Sequence, residues 1–72
     1  MRIEQENTVA IQVQIRNETD NAFLVSLESG RSAHTAWVPK SQVEVEDQYK
    51  VAMFHTMHMP EWLARNKWLL RE

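Results

Sequence analysis

The sequence predicts a mostly β fold: a small five-stranded antiparallel SH3-like or OB-like barrel, or a curled sheet, with one C-terminal helix. Three observations predict it. The segment TVAIQVQIR, residues 8–16, alternates apolar and polar residues with the period of two that is typical of a half-buried strand. Four further short apolar runs follow it, separated by turn-forming residues. The last segment, PEWLARNKWLL, begins with an acidic residue and ends with basic ones, the order that the helix dipole favours.

The chain of 72 residues is predicted to form one domain, residues 1–72, because its length and its 43% hydrophobic content suffice for a single core. We expect residues 1–7 to be loose, the strands to lie within 8–57, and the helix to occupy 60–70. The core-facing side of that helix is expected to include Trp62, Leu63 and Leu69, because a helix of about three turns needs tertiary packing to form.

Turn signals define the other elements. Gly30, the only glycine, is expected in a hairpin turn that requires positive φ. Pro39 is expected to end a strand or to lie on a sheet edge, since it has no N–H for the ladder. Ser41 and Gln42 are then expected to hydrogen-bond the backbone through a bend, and Pro60 to occupy the first helical position. The remaining strands are predicted over residues 22–28, 32–38, 43–46 and 49–57.

Catalytic chemistry is disfavoured by the residue inventory. The chain has no cysteine, and no nucleophile-elbow pattern surrounds any serine. His55 and His58 would lie on opposite faces of a strand, a poor arrangement for binding one metal ion. We therefore expect no catalytic residues, no metal and no cofactor. An enzyme is the third hypothesis, and it would require a pocket lined by His34 or His55 together with a carboxylate.

Charge and hydropathy restrict the partners. The net charge is −2, with two basic and five acidic residues in 1–30 and six basic and five acidic residues in 31–72. A duplex-binding protein usually has a clear basic excess, so general duplex binding is disfavoured. No apolar run is long enough to cross a membrane, and no secretion signal is visible, which together with the absence of cysteine favours the cytoplasm.

Two surfaces are predicted to bind macromolecules. A single-stranded nucleic acid could use aromatic and basic residues from neighbouring strands, namely Trp37, Lys40, Lys50 and Arg31, although core packing of Trp37 is the stronger expectation. Trp62 and Trp68 lie six positions apart, so at least one of them is expected to be exposed, and an exposed tryptophan is a common hot spot for protein partners. The protein-contact residues predicted on this basis, together with the acidic segment VEVED, are Trp68, Arg71, Glu44, Glu46 and Asp47. Pairing of strand edges offers a route to a homo-oligomer.

Three blocks of the sequence, ETDNAFLVSL, WVPKSQVE and MPEWLARNK, resemble a small phage and bacterial domain of unassigned function that has WxPKSQ and PEWLA motifs. The resemblance covers residues 18–70 and implies a phage or mobile-element setting and a small β-rich fold, but no activity. Trp68 stands where that family has glycine. A glycine there would end the helix in left-handed conformation, so the tryptophan predicts either a continuing helix or an exposed contact residue. The matching residues are Glu18, Thr19, Ala22, Trp37, Pro39, Lys40, Ser41, Gln42, Pro60, Glu61, Trp62, Leu63, Ala64 and Lys67.

The leading functional hypothesis is therefore a non-enzymatic binding module of phage or mobile-element origin. It would act by protein–protein contact, inhibiting or modulating a host defence or nucleic-acid-processing complex in the manner of an anti-CRISPR protein. The alternative is a single-stranded nucleic-acid-binding small barrel.

Overall fold

The computed structural model describes residues 7–46 and 48–70, which form a five-stranded antiparallel sheet and one C-terminal helix. The predicted mostly β class is confirmed. The strand order in the sheet is β3-β2-β1-β5-β4, so β3 and β4 form the two ends. The sheet is not closed, and the barrel form of the prediction is not confirmed. The elements are β1 (Thr8–Glu18), β2 (Ala22–Ser26), β3 (Thr35–Pro39), β4 (Glu44–Val45), β5 (Phe54–Pro60) and helix α1 (Glu61–Asn66).

The central strand β1 follows the alternation seen in its sequence. Val13 and Ile15 are fully buried on the face that we call the inner face, and Val9 and Ile11 are partly buried there. A register irregularity between Ile15 and Asn17 places a bulge at Arg16, which increases the local twist of the strand. β1 therefore supplies the middle of the core. The residues buried with it are Phe23, Val25, Val38, Met57, Met59, Leu63, Ala64 and Leu69.

The connection between β2 and β3 is anchored by the bulged arginine. The Arg16 guanidinium donates to Ser26 Oγ at 3.1 Å and to the Gly30 carbonyl at 2.7 Å, and the fully buried Ser26 hydroxyl donates to the Glu28 carbonyl at 2.6 Å. Gly30 has φ 109° in this turn, as expected. The flanking strands are shorter than predicted, because residues 27–34 belong to the anchored loop rather than to the ladder.

The second half of the sheet is shifted along the chain relative to the prediction. β5 spans residues 54–60 rather than 49–57, because a turn at residues 51–52, with Ala52 at φ 79°, precedes it. The Ala52 N–H donates to the Ile15 carbonyl at 2.6 Å, and the Ile15 N–H donates to the Met53 carbonyl at 3.1 Å. These two bonds dock the turn onto the central strand. The predicted strand over 43–46 is reduced to the two residues of β4.

Helix α1 crosses the inner face of the sheet. Pro60 was predicted to be the first helical residue, and this prediction is wrong. Pro60 instead ends β5 opposite Thr8 and precedes the helix with ψ 143°. The Glu61 N–H donates to the Asn7 carbonyl at 2.8 Å, so Asn7 is bonded rather than loose. At the other end, a His34 imidazole N–H donates to the Lys67 carbonyl at 3.1 Å. The helix thus begins beside β1 and β5 and ends beside the start of β3. Residues 1–6 lie outside the described part of the chain.

Candidate protein-contact site

The end of helix α1 is closed by a Schellman arrangement. The Leu69 N–H donates to the Ala64 carbonyl at 2.8 Å, and the Trp68 N–H donates to the Arg65 carbonyl at 3.2 Å. These are the two backbone bonds by which a helix satisfies its last carbonyls when the chain turns through a left-handed residue. Leu69 is buried in the same core cluster as Leu63, in keeping with the hydrophobic contact that usually accompanies this motif. The helix therefore ends at residue 66, and the prediction that it continues to residue 70 is wrong.

Trp68 is the left-handed residue of this cap, with φ 64°. That conformation brings the Cβ of an L-residue close to the following carbonyl oxygen, and for a bulky residue it is rare. Its side chain is also 75% exposed, the largest exposed fraction among the large hydrophobic residues of the described chain. The family resemblance allowed either a continuing helix or an exposed tryptophan at this position. The structure has the exposed tryptophan, and it retains the glycine-like backbone.

The solvent face of α1 carries a second exposed tryptophan. Trp62 was expected to face the core, but 47% of it is exposed, while Leu63 and Ala64 are buried beneath the helix. Both Nε and Nη2 of Arg65 donate to Glu61 Oε2, at 2.9 and 2.6 Å. These bonds, with a further one from the Asn7 side chain, hold the pKa of Glu61 below its ordinary value.

The Lys40 side chain is not available as a free cation. Its Nζ donates to Glu18 Oε2 at 2.7 Å and lies 5.0 Å from the centre of the Phe23 ring. Tyr49 completes this cluster: its hydroxyl donates to the same Glu18 oxygen at 3.1 Å, and its ring meets Phe23 edge-on at 5.0 Å. The bond to Lys40 is the main cause that lowers the pKa of Glu18, and the bond to Glu18 raises the pKa of Lys40. Sequence reasoning missed this cluster.

The PKSQ segment forms a single 3₁₀ turn, Lys40–Gln42. Its start is held by the Lys40 N–H, which donates to the Asn21 carbonyl at 2.8 Å. The turn has no side-chain hydrogen bond at its N-cap, and the expected bonding of the backbone by Ser41 and Gln42 is not found among residues 7–46 and 48–70. Both side chains instead line an open groove of about 450 Å³ together with Thr8, Val43, Glu44, His58, Met59 and Pro60.

The predicted acidic residues Glu44 and Glu46 lie in and directly after β4, whereas Trp68 follows helix α1. Glu44 is opposite His58 in the β4–β5 ladder, and the His58 imidazole N–H donates to Glu46 Oε2 at 2.7 Å. Only residues 40–43, which form the 3₁₀ turn and the residue after it, join the end of β3 to the start of β4, so the sheet curls and brings these two strand ends closer than the roughly 18 Å that five extended residues span. Asp47 and Arg71, the other two predicted contact residues, lie outside the described residues.

The predicted nucleic-acid residues are dispersed. Trp37, in β3, is 44% exposed, against the expectation that the core would hold it, and it lies on the sheet face opposite the helix, which we call the outer face. Phe54 lies on the same outer face and is 40% exposed. Arg31 and Lys50 are exposed in separate connections. The structure therefore places two aromatic residues on one sheet face, in β3 and β5, but does not bring the four predicted residues together.

Among residues 7–46 and 48–70, no group of three or more metal-ligating side chains is close enough to hold an ion. His55 and His58 lie three positions apart in β5, on opposite faces, and the Lys50 N–H donates to His55 Nε2 at 3.0 Å. In the same part of the chain, no helix has the length and apolar character needed to span a bilayer. Comparison of the chain with known protein families, curated proteins and solved structures finds no match.

Proposed function

We propose that this protein is a non-enzymatic binding module that contacts a protein partner through the Trp68 end of its helix. The observation that carries the proposal is the combination of a left-handed backbone and a 75% exposed ring at Trp68. Glycine would satisfy the same helix cap without the steric cost. A residue that breaks a local rule without an evident gain for the fold is a candidate for function.

The surroundings of Trp68 support a protein partner. Tryptophan and arginine are the residue types most enriched among binding hot spots, and Trp62 and Arg65 lie on the exposed side of the same short helix. The cap fixes the backbone of Trp68 through two hydrogen bonds, and His34 ties the adjacent carbonyl of Lys67 to the sheet. A ring presented on a fixed backbone loses less conformational freedom when it is buried by a partner.

The proposal is extended by the resemblance to a phage and bacterial domain. In that setting the module would act in the cytoplasm, occluding a host defence or nucleic-acid-processing complex such as a CRISPR complex. The acidic residues Glu44 and Glu46 would make a secondary contact, because they belong to the β4 segment rather than to the helix and His58 already engages Glu46.

The test compares capture of partners by the tagged wild-type protein and by a Trp68→Gly variant, from host extract with quantitative mass spectrometry. Glycine keeps the helix cap and removes the ring, so folding is preserved while the contact is lost. We expect a protein retained in stoichiometric amount by the wild type to fall at least about 30-fold, the ratio that a hot spot of about 2 kcal/mol implies. The matched control is Phe54→Ser, which removes an exposed aromatic ring from the outer face. Capture that Trp68→Gly leaves unchanged, or no stoichiometric capture by the wild type, would refute the proposal.

A single-stranded nucleic acid is the second candidate partner, favoured by the exposure of Trp37 and Phe54 on one sheet face. Bases stack on such rings, and an OB-like or SH3-like curvature of the sheet would place them along one path. Lys50 and Arg31 would supply phosphate contacts, whereas the Lys40 charge is already paired with Glu18. Titration of a fluorescent oligonucleotide at low salt tests this function. Salt-sensitive binding that Trp37→Ala and Phe54→Ala weaken supports it, and a flat titration removes it.

A further inference from the structure

The two ends of the sheet differ in how well they are protected against pairing with another strand. β4 contains only Glu44 and Val45, and Glu46 follows it directly. Short length and charge are the usual devices that keep an edge strand from pairing. β3 contains five residues, TAWVP, none of them charged, and within the described part of the chain the protective feature of this edge is Pro39 at the end of the strand. The β3 edge is therefore the open one.

The backbone geometry shows which groups of β3 face outward. The Lys40 N–H donates to the Asn21 carbonyl at 2.8 Å, so the backbone groups of residue 40 point toward β2. The backbone N–H and carbonyl of Ala22, the partner of Pro39, point away from β3. The carbonyl accepts from the Thr19 N–H at 2.8 Å, and the N–H donates to Thr19 Oγ1 at 3.1 Å. Hydrogen-bonding direction alternates along an antiparallel strand. The outward backbone groups of β3 are therefore those of Thr35, Trp37 and Pro39.

We propose that β3 pairs with the β3 strand of a second copy of this chain, antiparallel, about a two-fold axis at Trp37. Each Trp37 N–H then donates to the carbonyl of the second copy's Trp37. Each Thr35 N–H donates to the carbonyl of the second copy's Pro39. The two five-stranded sheets become one continuous sheet, and a two-fold axis closes the assembly at the dimer.

The pattern of donors and acceptors is what selects a second copy. Pro39 has an outward carbonyl but no N–H, and the two-fold axis places it opposite Thr35, at the last position of the ladder. The missing donor therefore leaves unpaired only the Thr35 carbonyl, which lies at the strand end, where water can solvate it. Only an axis at Trp37 matches all three outward positions of one copy with those of the other.

The side chains fit the same axis. The two Trp37 rings lie on the same outer face and become directly opposite neighbours across the new strand pair, where aromatic side chains interact favourably. Because β3 carries no charged residue, no like charges meet at the axis. This pairing does not depend on the Trp68 contact of the proposed function, since it uses the backbone edge of β3 and the outer face of the sheet.

The test is sedimentation equilibrium over a concentration series, combined with amide hydrogen exchange. We expect a reversible dimer, with a Trp37 amide that exchanges quickly in dilute protein and at least ten times more slowly in concentrated protein. Trp37→Lys places two ammonium groups at the axis, and Thr35→Pro removes an outward N–H while leaving the hydrogen bonds within the chain intact. Each is expected to raise the dimer dissociation constant at least tenfold. The control Phe54→Lys, on the same face but in an interior strand, should leave it unchanged.

Circular dichroism of each variant establishes that the fold is retained, and the exchange readout on the wild type needs no substitution. A protein that stays monomeric throughout the series overturns the proposal. So does a dimer that keeps its dissociation constant in both β3 variants, or a Trp37 amide whose exchange is independent of concentration.

Discussion

Replacing Trp68 by glycine and, separately, by alanine gives a direct measure of the strain at the helix cap. Both variants lose the same tryptophan ring, so the contacts of the ring cancel when the two are compared. What remains is the backbone preference at φ 64°. A left-handed conformation costs an L-residue about 1–2 kcal/mol, and glycine avoids this cost. Glycine, however, loses about 0.5–1 kcal/mol more conformational entropy on folding, which offsets part of its advantage. The glycine variant should therefore be more stable than the alanine variant by about 0.5–1 kcal/mol.

The assay is thermal and urea denaturation followed by circular dichroism. For a domain of this size, 1 kcal/mol corresponds to about 4–8 °C in Tm, so the expected difference is measurable. Arg65 supplies the matched control pair, because it lies inside helix α1. There the order should reverse, with alanine more stable than glycine by about 1 kcal/mol. If alanine equals or exceeds glycine at position 68, Trp68 is not held in the left-handed cap and the reasoning fails.

Three further predictions concern the sheet and its connections. Because the pKa of Glu18 is lowered in the folded state, its stabilisation is fully present above the ordinary glutamate pKa of about 4.3 and is lost as the pH falls through the folded value. Glu18→Gln should therefore flatten the acid side of a plot of Tm against pH, and an unchanged slope would contradict the Lys40 pairing. Arg16→Met should lower the free energy of unfolding, measured in urea, by about 1–3 kcal/mol, because the buried Ser26 hydroxyl loses a donor; a loss below that range would show that the loop is held by other contacts. Ala52→Gly should raise the same free energy by about 0.5–1 kcal/mol, since Ala52 has φ 79°, and a decrease would show that Ala52 is not strained.

The parts of the fold that were predictable are those in which the local pattern and the tertiary environment agree. β1 buries one face and solvates the other, so its alternation of apolar and polar residues directly reflects burial. Gly30 occupies a backbone conformation that glycine adopts without a steric penalty. Pro39 lies on an end strand because an interior strand would need its missing N–H.

The errors came from places where a tertiary contact overrides the local signal. The segment from Tyr49 onward has strand-forming residues, but the bonds between Ala52 and Ile15 hold a turn there and delay β5. Pro60 suits the start of a helix, yet its φ of −61° is equally compatible with the extended strand end that it occupies. Helix α1 ends early because the chain reverses through the left-handed Trp68, after which Leu69 is buried in the core.

In the candidate site, too, some features were predictable from the local sequence and others depend on tertiary contacts. The exposure of a tryptophan was predicted from the angular spacing of Trp62 and Trp68 around a helix, but the helix ends at Asn66 and both tryptophans are exposed, so the left-handed cap rather than helical periodicity determines where Trp68 lies. The Glu18–Lys40 cluster was not predictable, because its members come from separate elements and only the strand register brings them together. Nothing in the neighbourhood of Lys40 in the sequence indicates that its charge is already paired.

The position of β1 also has a consequence for how the chain folds. β1 meets β2 after a short turn, but it meets β5 only after the chain has passed through β2, β3 and β4. Closing that long loop costs more entropy than closing the hairpin, and folding slows as non-local contacts come to dominate. The three-stranded meander β1–β2–β3 should therefore form first, with the apolar inner face of β1 still uncovered on one side. Docking of β5 and α1 covers this face, so a chain truncated before β5 should expose it and be prone to association with other chains.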